Sequence, residues 1–185
     1  MRMQLLYPFM LVVIILGVVG LFSLRYAPEQ ETPNNIMFVD IDGTSGRMSI
    51  DDMVNNCELI EKSIYDIWLG TTKKYSTVRV YDMINCMTEM PEDDIQYTTN
   101  VVFTNIQGHT ISVPLTNVVE YKDAFLLAVM YRNEDLNIDF SNNAESGGPS
   151  RLIIDYSSDF ISENYGPEYW LWCIYKISLV KGPIA

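Results

Sequence analysis

Hydrophobic positions along the chain form one long block near the amino terminus and a series of short runs after residue 35. The long block, residues 3–24, holds no charged side chain and is flanked by Arg2 and Arg25. The later runs alternate or cluster as in strands and short helices, and polar stretches with Gly, Asp, Asn or Pro separate them. This pattern predicts an apolar segment followed by one folded domain.

The apolar block is long enough to cross a membrane. As a helix, its 22 residues would span about 33 Å at about 1.5 Å per residue, which matches a hydrocarbon core of about 30 Å. A cleaved signal peptide has a shorter apolar region that ends in small residues, whereas this block ends in Phe22-Ser23-Leu24-Arg25. We therefore expect residues 1–25 to be an uncleaved single-pass signal anchor, with a cleaved signal peptide as the alternative.

Charges at the two ends of the block predict its orientation. Arg2 and the terminal amine outweigh Arg25, so the amino terminus is expected in the cytoplasm and the domain on the outer face of the cell membrane. Residues 26–35 form a polar, Pro-containing linker, and residues 36–185 form the globular domain.

Strands outnumber helices in the predicted domain. A capping-box pattern at Ser49 and Asp52 begins one helix, and helical spacing over residues 78–87 predicts another. A Gly108-containing connection predicts a hairpin. The predicted strands are residues 36–41, 58–69, 95–106, 110–115, 124–131 and 151–156. Together these elements predict an α+β fold with a mixed, mostly antiparallel sheet and short helices.

Charge and composition exclude two classes of protein. Residues 26–185 carry 10 basic and 24 acidic side chains, a net charge of −14. An acidic surface of this kind repels phosphate backbones, so nucleic acid is excluded as a partner. The chain contains 3 Trp, 12 Tyr and 7 Phe, enough to fill a core, which excludes an intrinsically disordered protein.

Reactive side chains are few and scattered. Cys57, Cys86 and Cys173 either include one disulfide, if the domain faces an oxidising space, or are buried thiols. His109, the only histidine, falls at the predicted hairpin tip without nearby partners and is expected to be exposed. No zinc, hydrolase or phosphate-loop motif occurs, so we predict neither a metal site nor a catalytic residue.

An aromatic segment, residues 165–180, ends the domain. Trp170 and Trp172 alternate as on one face of a strand. Core packing is the favoured interpretation, and a ligand cleft is the alternative.

Four stretches in the same order carry a family resemblance across about residues 36–180. FVDIDG followed by MSIDDM matches an opening strand, glycine and short helix, and YSTVRVYDMI matches the pattern W-x-G-V-x-L-x-D-L-L. The run from residue 101 to 136 matches a hairpin and strand, and GGPSRL at 147–152 matches G-x-P-x-R-L. The domain thereby resembles the molybdopterin-binding domain of the sulfite oxidase type.

The resemblance implies a cofactor cleft and the residues that would line it. In that family a cysteine thiolate ligates molybdenum and cations bind the cofactor phosphate. The G-x-P-x-R element implies that Gly147, Gly148, Ser150 and Arg151 contact a ligand. However, the stretch 64–70, where the family has its thiolate, contains no cysteine, and Cys57 lies eleven residues before Trp68.

The cations are also missing from this sequence. Glu168 stands where the family has a cation that binds the cofactor phosphate. The metal ligand is missing too, because neither Trp nor Leu in the stretch 64–70 can replace a soft thiolate as a metal donor. A phosphate ester prefers paired Arg or Lys donors. We therefore expect no bound molybdopterin, although the resemblance itself implies one.

Three functional hypotheses follow. The favoured one is a membrane-anchored, non-catalytic module that binds a small anionic ligand or a membrane protein partner through Arg151 and the backbone of residues 147–150. The alternative is an active molybdopterin-dependent oxidoreductase that takes its metal ligand from Cys57 or Cys86. A purely structural ectodomain of a membrane complex is the third.

Overall fold

Two five-stranded sheets make up most of the regular structure in the part of the chain that the structure describes. The computed structural model describes residues 35–67, 69–136 and 146–182. Every strand pairing is antiparallel except one, between the first and last strands of the described chain. The described residues thus form a mixed α+β fold with mostly antiparallel sheets and short helices, as the sequence predicts.

The first sheet joins the two ends of the domain. Its strands are β1 (Asn35–Val39), β2 (Ser45–Ser49), β5 (Thr99–Asn105), β6 (Thr110–Pro114) and β10 (Ile174–Lys181). They lie in the order β2-β1-β10-β5-β6. β10 inserts between β1 and β5, parallel to β1 and antiparallel to β5. The carboxyl-terminal strand therefore completes the centre of this sheet.

The second sheet carries the residues discussed below. Its strands are β3 (Leu59–Asp66), β4 (Thr71–Arg79), β7 (Phe125–Tyr131), β8 (Glu134–Asp135) and β9 (Arg151–Ile154). They run in the order β3-β4-β7, and both β8 and β9 pair with β7. All residues of β9 are buried. A short apolar strand of this kind is typical of a position inside the core.

Short helices connect the strands. They are α1 (Ile50–Asn56), α2 (Val80–Met87), α3 (Asp93–Gln96), α4 (Leu115–Glu120), α5 (Asp159–Asn164) and a 3-10 turn at Pro167–Tyr169. α1 begins with the predicted capping box: Ser49 Oγ accepts from the Asp52 backbone N–H, and the Asp52 carboxylate accepts from the Ser49 N–H. This reciprocal pair satisfies two donors at the helix start.

Several element boundaries differ from the predicted ones. β4 is not predicted, because polar side chains fill its exposed first half, and alternation fails there. It is nevertheless a central strand, paired on both sides. Consequently α2 starts at Val80, two residues later than expected. Residues 95 and 96, expected in a strand, lie in α3. The predicted hairpin at Gly108 and the strand near 124–131 are confirmed.

The expected membrane anchor and linker, up to residue 34, lie outside the described residues. Within the residues that the structure describes, no helix is long and apolar enough to span a membrane.

Candidate functional site

The segment 146–150 leads directly into β9 and is held in place by backbone hydrogen bonds. Cys173 N–H donates to the Gly147 carbonyl at 2.9 Å, and Ile174 N–H donates to the Ser150 carbonyl at 2.9 Å. Cys173 is the residue before β10, and Ile174 is its first residue. The segment is therefore hydrogen-bonded to the first sheet directly before β9, which belongs to the second sheet.

Gly147 is required at its position for two reasons. Its φ of +97° lies in the left-handed region that favours glycine. A Cβ added there would also lie 3.3 Å from the Arg151 Cδ and 3.5 Å from the Trp172 Cβ. The backbone of the segment thus packs directly against the arginine side chain.

Arg151 is completely buried and pairs with a buried acid. Its Nη2 donates to Asp66 Oδ2 at 2.9 Å, and both side chains are 0% exposed. Asp66 is the last residue of β3, whereas Arg151 is the first of β9, with β4 and β7 between these strands. The ion pair therefore connects the two sides of the second sheet.

Tyr75 on β4 completes the polar cluster. Its hydroxyl donates to Asp66 Oδ2 at 2.8 Å and accepts from Arg151 Nη1 at 3.3 Å. The other carboxylate oxygen, Asp66 Oδ1, accepts from the Leu69 backbone N–H at 3.1 Å. One carboxylate thus fixes a tyrosine, an arginine and the turn between β3 and β4. A buried charge needs this kind of pairing, because leaving it unpaired is costly.

Aromatic rings surround the guanidinium. The Arg151 Cζ lies 4.3 Å from the Trp172 ring centroid, 5.2 Å from that of Trp170 and 5.8 Å from that of Tyr75. At these distances the rings stabilise the cation electrostatically. Trp170 and Trp172, which are predicted on one face of a strand, both lie next to the Arg151 side chain. Their segment is not a regular strand, because its pairing among the described residues is an isolated β-bridge at Leu171.

Burial changes the acid–base properties of the cluster. Desolvation lowers the pKa of Arg151, while Tyr75 and Asp66 act in the opposite direction. Desolvation also raises the pKa of Tyr75 well above its usual range, with the Arg151 charge opposing that change. Tyr75 therefore stays protonated and remains a donor to Asp66.

Among the residues that the structure describes, two polar atoms in this region have no hydrogen-bond partner. They are Ser150 Oγ and Arg151 Nε, each inaccessible to solvent. Buried polar groups are satisfied in most proteins, so two adjacent exceptions need an explanation.

The predicted site residues Gly147, Gly148, Ser150 and Arg151 are all buried in one segment. Sequence reasoning missed Asp66 and Tyr75. Asp66 lies on the buried face of β3, as Ile64 does. An acidic residue at such a position indicates that a buried partner pairs with it. The backbone contact of Cys173 with the segment was missed as well.

The two cysteines considered as metal ligands lie elsewhere. Cys57 follows α1 and Cys86 lies near the end of α2, with their sulfur atoms 3.0 Å apart. Burial, followed by the Cys86 thiol and Asp82, raises the pKa of Cys57 to about 12. Across the described ranges, no three His, Cys, Asp or Glu side chains form a group that could hold a metal ion.

His109 lies at the tip of the β5–β6 hairpin and is exposed, as predicted. Its backbone N–H donates to Asn105 Oδ1 at 2.9 Å, which fixes the turn.

Comparison with known proteins gives no assignment: no family model matches the chain, and no curated protein matches it.

The Tyr75 hydroxyl can be tested separately from its ring. In the full chain in detergent, Tyr75→Phe should lower the free energy of unfolding by about 1–3 kcal/mol, because Asp66 loses a buried donor. Tyr131→Phe is the matched control, since its ring packs 5.6 Å from that of Tyr75 and its hydroxyl makes no hydrogen bond to the residues described. Denaturant unfolding followed by tryptophan fluorescence measures both. Equal losses in the two variants would show that the hydroxyl is unimportant.

Proposed function

We propose that this chain is a non-catalytic accessory or ligand-binding module, anchored in the cell membrane through residues 3–24 with its domain on the outer face. Its scaffold resembles the molybdopterin-binding domain of the sulfite oxidase type. The charge-free apolar block supports the anchor, and the charges that flank it favour the outer face.

One observation carries the non-catalytic part of the proposal. Arg151, the cation that the resemblance assigns to the cofactor cleft, is 0% exposed and paired with Asp66. An arginine that binds an anionic group must offer its donors to that group. Here both terminal nitrogens of Arg151 already donate to Asp66 and Tyr75. The positive charge of Arg151 is therefore paired inside the protein.

The residues present do not fit a molybdenum cofactor. Ligation of the metal needs a thiolate, and the raised pKa of Cys57 opposes formation of one. Asp82 adds negative charge beside that thiol. Glu168 is exposed where the family has a phosphate-binding cation, and a carboxylate cannot replace that cation. These residues therefore supply neither the metal ligand nor the phosphate-binding cation of such an oxidoreductase.

The ligand-binding form of the proposal rests on the two unpartnered atoms. Ser150 Oγ and Arg151 Nε are both donors, they belong to adjacent residues, and they lie in the segment that the resemblance assigns to ligand contact. Each of them could donate to an oxyanion that reached it. A small anionic ligand is thus the class that fits. The complete burial of Arg151 favours the structural ectodomain instead, and a binding experiment decides between these two.

Metal analysis tests the absence of catalysis. The full chain is produced in a host that makes the molybdenum cofactor and is analysed by inductively coupled plasma mass spectrometry. We expect no molybdenum above the buffer blank. One molybdenum per chain, lost on substitution of Cys57, Cys86 or Cys173 by serine, would contradict the proposal and identify the ligand.

Inorganic phosphate tests the ligand site at constant ionic strength. A ligand at ten times its Kd should raise the unfolding temperature by about 3–6 °C. We expect this rise in the parent chain and in Ser157→Ala, a control at an exposed serine, but not in Ser150→Ala. Phosphate also stabilises proteins nonspecifically, and the control measures that effect. Identical shifts in all three proteins would favour the structural ectodomain.

A further inference from the structure

Cys57 and Cys86 meet where two helices end. Cys57 is the residue after α1, and its extended backbone (φ −109°, ψ 156°) turns the chain toward β3. Cys86 lies in the last turn of α2. Their sulfur atoms are 3.0 Å apart, and Cys86 Sγ also lies 3.5 Å from the Asn56 carbonyl oxygen. The two thiols therefore face each other directly, about 1 Å beyond the disulfide bond length of about 2.05 Å.

We propose that Cys57 and Cys86 form a disulfide bond in the native protein, produced by exchange with a disulfide of an external thiol–disulfide oxidoreductase or a small-molecule disulfide. The proposal rests on the predicted outer-face location, where such oxidants persist. It does not depend on whether any ligand binds near Arg151, so the disulfide and the ligand-binding part of the proposed function can each fail without the other.

The exposures of the two thiols fix the order of attack. Cys86 is exposed, whereas Cys57 is only 8% exposed. An incoming disulfide therefore reaches Cys86 first. Desolvation raises the pKa of Cys57 to about 12, so this thiol is a poor first nucleophile and acts second.

The exchange balances in two steps. The Cys86 thiolate attacks one sulfur of the external disulfide, that S–S bond breaks, and the first external thiolate leaves. Cys57 then gives up its proton and attacks Cys86 Sγ in the mixed disulfide, releasing the second external thiolate. Two protein thiols and one external disulfide become one protein disulfide and two external thiols. Two electrons pass from the protein to the oxidant.

The bond would connect parts of both sheets. α1 follows β2 of the first sheet, and α2 follows β4 of the second. Cys57 and Cys86 enclose β3 and β4, so the link closes a loop that contains Asp66 and Tyr75. A cross-link stabilises a protein mainly by restricting its unfolded chain. Cys173 is 0% exposed and bonded through its backbone to Gly147, which sets it apart from the reactive pair.

The state of the three cysteines can be measured on the full chain. Cells that produce it are quenched with acid, free thiols are alkylated in denaturant, and non-reduced peptides are mapped by mass spectrometry. We expect a Cys57–Cys86 linked peptide and an alkylated Cys173. Alkylation of both Cys57 and Cys86 without reductant, a link that includes Cys173, or a disulfide-linked dimer through Cys86 would each overturn the proposal.

A stability measurement provides a second readout. Addition of a reductant should lower the unfolding temperature of the parent chain by about 5–15 °C. Cys86→Ser removes an exposed thiol and should unfold at the same temperature with and without reductant. Asn85→Ser changes the exposed neighbouring residue, keeps the pair and should remain sensitive. Insensitivity of the parent chain, or equal sensitivity of Cys86→Ser, would overturn the proposal.

Discussion

The buried ion pair between Arg151 and Asp66 is the interaction on which the rest of the site depends. Removing two charges from water costs several kcal/mol per ion, so the pair exists only because its geometry and its further hydrogen bonds compensate. Tyr75 and the Leu69 backbone N–H supply those bonds to the carboxylate. Three aromatic rings supply a favourable environment for the guanidinium.

This pair links the fold to the proposed function. It connects β3 to β9 across the second sheet, and the segment before β9 is bonded to the start of β10 in the first. Arg151, which could otherwise bind an external anion, is therefore paired within the core. The charge of Arg151 thus stabilises the domain, which is the physical basis for the proposed non-catalytic module.

Local signals predicted much of this structure from sequence, and contacts between distant residues could not be predicted. The Ser49–Asp52 capping box and the Gly108 hairpin depend on neighbouring residues, so the sequence predicts them correctly. β4 was missed because its place depends on pairing with β3 and β7, and its polar first half hides it. The G-x-P-x-R element identifies Arg151 as a candidate but does not identify the acid that pairs with it. That acid, Asp66, lies 85 positions away along the chain, so spacing alone cannot identify it.

A double-mutant cycle measures most directly whether Arg151 and Asp66 stabilise the fold as a pair. Asp66→Leu, Arg151→Met and the double variant are compared by denaturant unfolding of the full chain. Each single variant leaves a buried charge unpaired and should lose about 3–5 kcal/mol of unfolding free energy, or fail to fold. The double variant should be no less stable than either single variant, because no unpaired charge remains. Losses that simply add would contradict the account, since they would mean that the two side chains act independently.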